Sequence, residues 1–218
     1  MSKKPNKSQP LKKATLLTKK QSPKEKNELK VRGKIFIISG PSGAGEDVII
    51  NGLKKKIKFN QLITTVTRKM RVGEKQGKPY YFTTVKKFKG MIKNKEFIEW
   101  AIVYGDYRGC PKKEMGRLIK LDKPIIWKAD WQGAKTVKKV FPNSVVSIYI
   151  NTPSYQILEK RLMRRGWDSK QTIENRKKFT LEWFKHKDIY DYIVTNYEGK
   201  LDQTIDKFVK IIKKELKP

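Results

Sequence analysis

The stretch Gly40-Pro41-Ser42-Gly43-Ala44-Gly45-Glu46-Asp47 decides how this chain reads. An apolar run, Ile35-Phe36-Ile37-Ile38, leads into it. Val48, Ile49, Ile50 and Leu53 lead out at helical spacing. Strand, glycine-rich loop and helix, in that order, form a phosphate cradle. Backbone N–H groups and the helix N-terminus hold the anion there. Such a loop normally carries a lysine after its last glycine, then a Ser or Thr hydroxyl for Mg²⁺. This chain has Glu46 and Asp47 at those two places. The loop has the form of a nucleotide site and the opposite charge.

Outward from the loop, apolar runs alternate with helical patterns. Short buried strands are expected over 124–129, 144–150 and 192–195. Helices are expected over 48–57, 132–140, 154–165, 169–186 and 201–216. This alternation predicts an α/β fold with a parallel sheet covered by helices on both faces. Between 62 and 110 several short strands follow one another, which predicts a separate small β-rich lobe. The core is then 32–61 together with 111–218. Ligands in open α/β sheets sit beyond the carboxyl ends of the strands. The strand ends at Ser39 and Asp130 are therefore expected to face one cleft.

Lys and Arg number 52 against 21 Asp and Glu, a net charge of +31. Attraction to polyanions and a general lysine bias both account for that excess. Residues 1–31 hold ten lysines and three prolines with few apolar residues, which predicts a disordered basic tail. The tail reads either as a non-specific nucleic-acid contact or as a solubilising extension. No apolar run reaches the ~20 residues that span a bilayer, and the N-terminus lacks the apolar core of a secretory leader. The single Cys110 excludes an internal disulfide and a cysteine metal cluster, so a cytoplasmic location is expected.

The most specific pattern is Thr67-Arg68-x-x-Arg71-x-Gly73-Glu74-x-x-Gly77-x-x-Tyr80-x-Phe82. It is joined, in order, by Phe97-Ile98-Glu99-Trp100, Gly105-x-Tyr107-x-Gly109 and Asp130-Trp131-Gln132-Gly133. On these motifs the chain from Gly33 to Leu216 resembles the guanylate kinases, P-loop kinases that transfer a phosphoryl group from ATP to GMP. The resemblance implies a three-layer P-loop kinase fold with a small GMP-binding lobe and a helical lid over about 160–180. It assigns GMP binding to Thr64, Arg68, Arg71, Tyr80, Glu99 and Asp130. It assigns charge neutralisation during transfer to Arg161, Arg165 and Arg176 of the lid, and places Asn196 near the nucleotide base. ATP and Mg²⁺ are the cofactors implied if the chain is active. The chemistry suits the assignments. Planar guanidinium groups grip a phosphate bidentately. A buried carboxylate facing guanine N–H donors selects guanine, because a mismatched base leaves it unpaired.

The chain departs from that pattern at named places. Arg108 stands where the family has the second of two paired tyrosines, and Cys110 where it has a small hydroxyl residue. Lys128 stands where it has a carboxylate two residues before Asp130. A cation is replaced by Glu46 and an anion by Lys128, so the two are expected to form a swapped ion pair across the donor site. GMP binding is then expected to be kept and phosphoryl transfer impaired or lost. Two further readings follow from the same residues. One is an active enzyme with Lys128 as a relocated phosphate-binding lysine. The other is a basic pseudokinase that binds a protein or RNA.

Overall fold

The computed structural model describes residues 33–121 and 123–217, without the side chain of Arg176. The expected tail, 1–31, lies outside the described residues.

Among the described residues, ten strands and seven α-helices follow in chain order. The first half comprises β1 (Ile35–Ser39), α1 (Glu46–Lys54), β2 (Asn60–Leu62), β3 (Thr65–Val66), β4 (Lys75–Gln76), β5 (Pro79–Phe82), α2 (Val85–Lys93), β6 (Phe97–Val103) and β7 (Asp106–Pro111). The second comprises α3 (Lys112–Leu118), β8 (Ile125–Lys128), α4 (Trp131–Val140), β9 (Val145–Asn151), α5 (Tyr155–Arg165), α6 (Lys170–Lys185), β10 (Tyr192–Thr195) and α7 (Leu201–Glu215).

The core sheet has the order β10-β9-β1-β8-β2, with every pair parallel. Its central strand, β1, is buried along its whole length. Alternate residues of a strand face opposite sides, and β1 divides accordingly. Ile35 and Ile37 join Trp127, Tyr149, Met115 and Val137 on one face. Phe36 and Ile38 join Ile49, Leu53, Ile148 and Phe208 on the other. Helices α1 and α7 cover the second face, and α3 and α4 the first. Both faces are buried, so the strands read as continuous apolar runs rather than as alternating ones. Removing a large side chain such as Phe36 from this core would cost about 3–5 kcal/mol.

The second sheet has the order β4-β5-β3-β7-β6 and forms the lobe. It differs in one respect from the boundary expected at residue 62: β2, which ends at Leu62, pairs with β8 in the core sheet. A three-residue strand does not show in sequence which sheet it joins, because pairing is a long-range choice. The lobe has its own small core, where Phe88 of α2 stacks on Phe97 at 4.4 Å and meets Tyr107 at 5.4 Å. Strands β6 and β7 are joined by Tyr104-Gly105, both with positive φ (54° and 86°). Two such residues give the tight turn whose twist matches the flanking strands.

Candidate nucleotide site

The chain leaves β1 at Ser39 and turns through Gly40–Gly45 into α1. The Ser39 hydroxyl donates to the carbonyl of Ala129 at 2.6 Å, tying the end of β1 to the end of β8. Gly45 caps α1 with φ 107°, in the left-handed region that favours glycine. A Cβ there would lie 2.6 Å from Asn196 Nδ2. That nitrogen donates to the carbonyl of Ala44 at 2.9 Å, and Asn196 Oδ1 accepts from Thr204 at 3.3 Å. The amide of Asn196 thus holds the loop from behind. Arg161 adds to this grip, donating to the Asn196 carbonyl at 3.0 Å and to the Gly43 carbonyl at 3.5 Å.

The ion pair across the loop differs from the one expected. Lys128 donates to Asp47 Oδ1 at 2.6 Å, so Asp47 rather than Glu46 is its partner. Two periodicities decide this. Register sets Lys128 beside Ile38, and the two-residue repeat of β8 turns it to the face of Ile126, where α1 packs. Successive residues of a helix point ~100° apart, so Asp47 reaches Lys128 with a hydrogen bond while Glu46 lies within range of its charge only. Glu46 makes no side-chain hydrogen bond among the described residues. Burial pushes its carboxyl up to about 8, the nearby charge of Lys128 opposing that rise and Asp47 adding to it. Burial works to lower Lys128, but the surrounding Tyr80, Asp47 and Glu46 and the hydrogen bond to Asp47 outweigh it and hold the ammonium charged.

Lys128 also stands 4.6 Å from the ring centroid of Tyr80, the lobe tyrosine expected on the acceptor phosphate. Arg68 and Arg108 approach the same ring, at 5.2 and 5.9 Å. Arg68 is held in place by Glu74 through bonds of 2.5 and 2.6 Å. The same Glu74 accepts from the backbone N–H of Arg71 at 2.8 Å, so one carboxylate fixes the turn that carries both arginines. Thr64 lines the same cleft.

Glu99 is buried at the far end. Burial and the neighbouring Asp130 carboxylate raise its pKa well above the usual carboxylate range, opposed by the backbone N–H of Cys110. Asp130 caps α4, accepting from the N–H groups of Gln132 and Gly133 at 2.8 and 3.0 Å. Gly133 makes room for a close approach, since a Cβ there would lie 3.0 Å from Glu99 Oε2 and press the carboxyl group aside. Two adjacent carboxyl groups with free oxygens suit a base edge that presents N–H donors.

The lid comes from α5, α6 and the loop between them. Arg165 donates to Asp168 at 2.9 Å, and Arg71 of the lobe pairs with the same carboxylate at 3.6 Å. Arg71 and Arg165 both lie against the ring of Trp167, at 5.1 and 4.4 Å. Arg161 and Arg164 share Glu198 at 3.2 and 2.9 Å. Arg176 lies outside the described side chains.

Loop, lobe and lid enclose one cleft of about 1140 Å³. The cleft brings together Thr64, Arg68, Arg71, Tyr80, Glu99, Asp130, Arg161, Arg165 and Asn196 with the loop and Lys128. The sequence reading passed over Trp167, Asp168, Glu198 and Tyr104. Tyr104 reaches from the lobe turn to Thr180 of α6 at 3.2 Å and packs against Phe179 with the rings tilted by 57°. A lone carboxylate beside a tryptophan, in an arginine-rich connection just after Gly166, is the signal that would have found the first two.

A P-loop on a parallel sheet, an arginine-bearing lobe and a helical lid over one cleft define a P-loop kinase fold. The guanylate kinase family model matches residues 32–215. The guanylate kinase of Rickettsia felis is 38% identical over 185 residues, 84% of this chain and 95% of that protein. That of Carboxydothermus hydrogenoformans is 40% identical over 166 residues, 76% of this chain and 81% of its own. The crystal structure of guanylate kinase from Anaplasma phagocytophilum superposes with a TM-score of 0.70 at 30% identity, covering 85% of this chain and 87% of that one. The chain belongs to the guanylate kinase family.

Proposed function

We propose that this protein transfers a phosphoryl group from ATP to GMP, with Lys128 as the phosphate-binding lysine in place of position 46. The observation that carries the reading is the position of the Lys128 ammonium. It touches the first turn of the P-loop helix and stands 4.6 Å from the ring of Tyr80. A cation there serves the junction between a donor held by the loop and an acceptor held by the lobe.

Other features support the reading. In the reaction an oxygen of the GMP phosphate attacks the terminal phosphorus of ATP, and the bond to the bridging oxygen breaks as ADP leaves. Such a step needs positioning and charge neutralisation rather than covalent help from the protein. Glu46, with its pKa at about 8, is largely neutral at pH 7, so it places little negative charge against the incoming polyphosphate. Gly43 and Gly45 turn the loop in left-handed conformations, and the absence of a Cβ at Gly45 lets Asn196 hold it from behind. Mg²⁺ prefers hard oxygen ligands, typically one or two carboxylates beside phosphate and water. The exposed carboxylate of Asp47 is the protein oxygen that fits it; the ion would neutralise phosphate charge. Glu99 and Asp130 would take the guanine edge, and Arg68, Arg71 and Tyr80 the GMP phosphate. No helix among the described residues is long and apolar enough to cross a membrane. With the single buried Cys110, this is compatible with work in the cytoplasm.

A second reading has its own observation. Asp47 engages Lys128 at 2.6 Å. If that hold persists with nucleotide present, the lysine is unavailable and the chain binds GMP without efficient transfer. A coupled assay with ATP, Mg²⁺ and GMP separates the two. The expected turnover lies within the usual kinase range of ~1–100 s⁻¹. Lys128→Met is expected to lower kcat by about 100-fold or more while GMP still binds. A wild-type chain that binds GMP and turns over no ATP would leave the second reading standing.

A further inference from the structure

The arginines that line the cleft are paired with carboxylates, with one exception among the described residues. Arg68 is held by Glu74, Arg71 and Arg165 by Asp168, and Arg161 and Arg164 by Glu198. Arg108 of β7 makes no ion pair. Its Nε is buried and has no hydrogen-bond partner. Buried polar groups in folded proteins are nearly always satisfied, and a buried donor on a charged group is especially costly to leave unmatched. An unmatched guanidinium in a cleft therefore points to an anion that the cleft receives.

Its surroundings say which part of a ligand it would meet. Arg108 lines the cleft 5.9 Å from the ring of Tyr80. Its charge acts on Glu46 of the loop and on Asp130 at the base pocket. It therefore stands between the donor loop and the acceptor groups. Register fixes it there, since Arg108 pairs with Val66 of β3 and Ala101 of β6 in the middle of the lobe sheet. Lys128 divides its charge between the junction and Asp47, and Arg108 brings a second positive charge that no carboxylate holds.

We propose that Arg108 binds the phosphoryl group in transit between donor and acceptor, supplying from the lobe a second positive charge beside that of Lys128. The proposal rests on the kinase reading above. A guanidinium there meets two non-bridging oxygens at once, which a lysine does not.

The test uses binding, so it does not depend on turnover. The probes are GMP and a bisubstrate mimic in which guanosine and adenosine are joined through five phosphates. Affinities are measured by calorimetry for the wild-type chain, Arg108→Tyr, Arg108→Gln and Arg108→Lys, with thermal melts to check folding. Tyrosine and glutamine are expected to weaken the mimic by about 10–100-fold and GMP by less than about threefold. Lysine is expected to recover part of the loss. Equal losses for GMP and the mimic would overturn the proposal, because Arg108 would then serve only the acceptor phosphate. Unchanged affinity for both in a folded variant would overturn it as well. A wild-type chain that binds the mimic yet turns over no ATP would sink the kinase reading alone, and the Arg108 comparison would still be decisive.

Discussion

Lys128 and Asp47 are joined at 2.6 Å although 81 positions separate them in the chain. The contact links the end of β8 to the first turn of α1, across the mouth of the phosphate loop. The cation beside the loop comes from the neighbouring strand, and the first turn of the helix meets it with a carboxylate.

Glu46 gives the site a pH dependence. Its pKa rises from 4.5 to about 8 on folding, chiefly by burial. Lys128, Asp47, Arg108 and Asp130 are the charged groups that face it. Between pH 4.5 and about 8 the folded chain keeps this proton while the unfolded chain releases it, so Glu46 makes stability fall as pH rises across that window. ATP adds further negative charge and favours the protonated form. ATP affinity is expected to hold up to about pH 8 and then fall by up to ~10-fold per unit. Glu46→Gln should flatten that fall in a calorimetric titration; an unchanged profile would show that another group titrates.

Glu99→Gln tests the base pocket. It replaces an acceptor-only oxygen by an amide donor facing guanine N–H groups. GMP affinity is expected to drop by about 100-fold or more, with ATP affinity unaffected. Comparable loss for both nucleotides would place Glu99 outside the guanine pocket.

Gly45→Ala tests the loop clamp. The substitution forces a side chain into φ 107° and against Asn196 Nδ2 at 2.6 Å. The expected cost is about 1–3 kcal/mol of stability, read as a lower denaturation midpoint. Asn196→Ala is expected to cost about 1–3 kcal/mol by leaving the buried partners of its amide unmatched. Neutral effects from both would show that the loop holds its form without the clamp.

Asp168→Ala tests the link between lobe and lid. The carboxylate joins Arg71 of the lobe to Arg165 of the lid. Its loss is expected to weaken GMP binding about fivefold by favouring the open cleft, with the melting temperature little changed. A purely structural role would show the reverse, a lower melting temperature with GMP affinity intact.

Much of the fold was legible because its signals are local. The buried runs at Ile35–Ser39 and Val145–Asn151 and the helical spacing of α4, α5 and α7 depend only on neighbours in sequence. The two-residue β4 carries no periodicity at all and went unseen. In the site, the arginine-bearing lobe was legible for a similar reason. Arg68, Arg71, Glu74 and Tyr80 lie within thirteen consecutive residues, and their spacing survives as a motif. The lid pairings were not legible. In a chain with 52 Lys and Arg, no local pattern shows which arginine meets which carboxylate.

The sequence alone therefore determined an α/β core, a glycine-rich loop followed by Glu46 and Asp47, the family, and the cluster of arginines in the lobe. Only the tertiary structure decided that Lys128 takes Asp47 instead of Glu46, and that Arg108 alone among the described cleft arginines lacks a carboxylate. The physical reason is range. Periodicity and turn chemistry act over a few residues, whereas an ion pair depends on strand register and helix phase meeting within 4 Å across most of the fold.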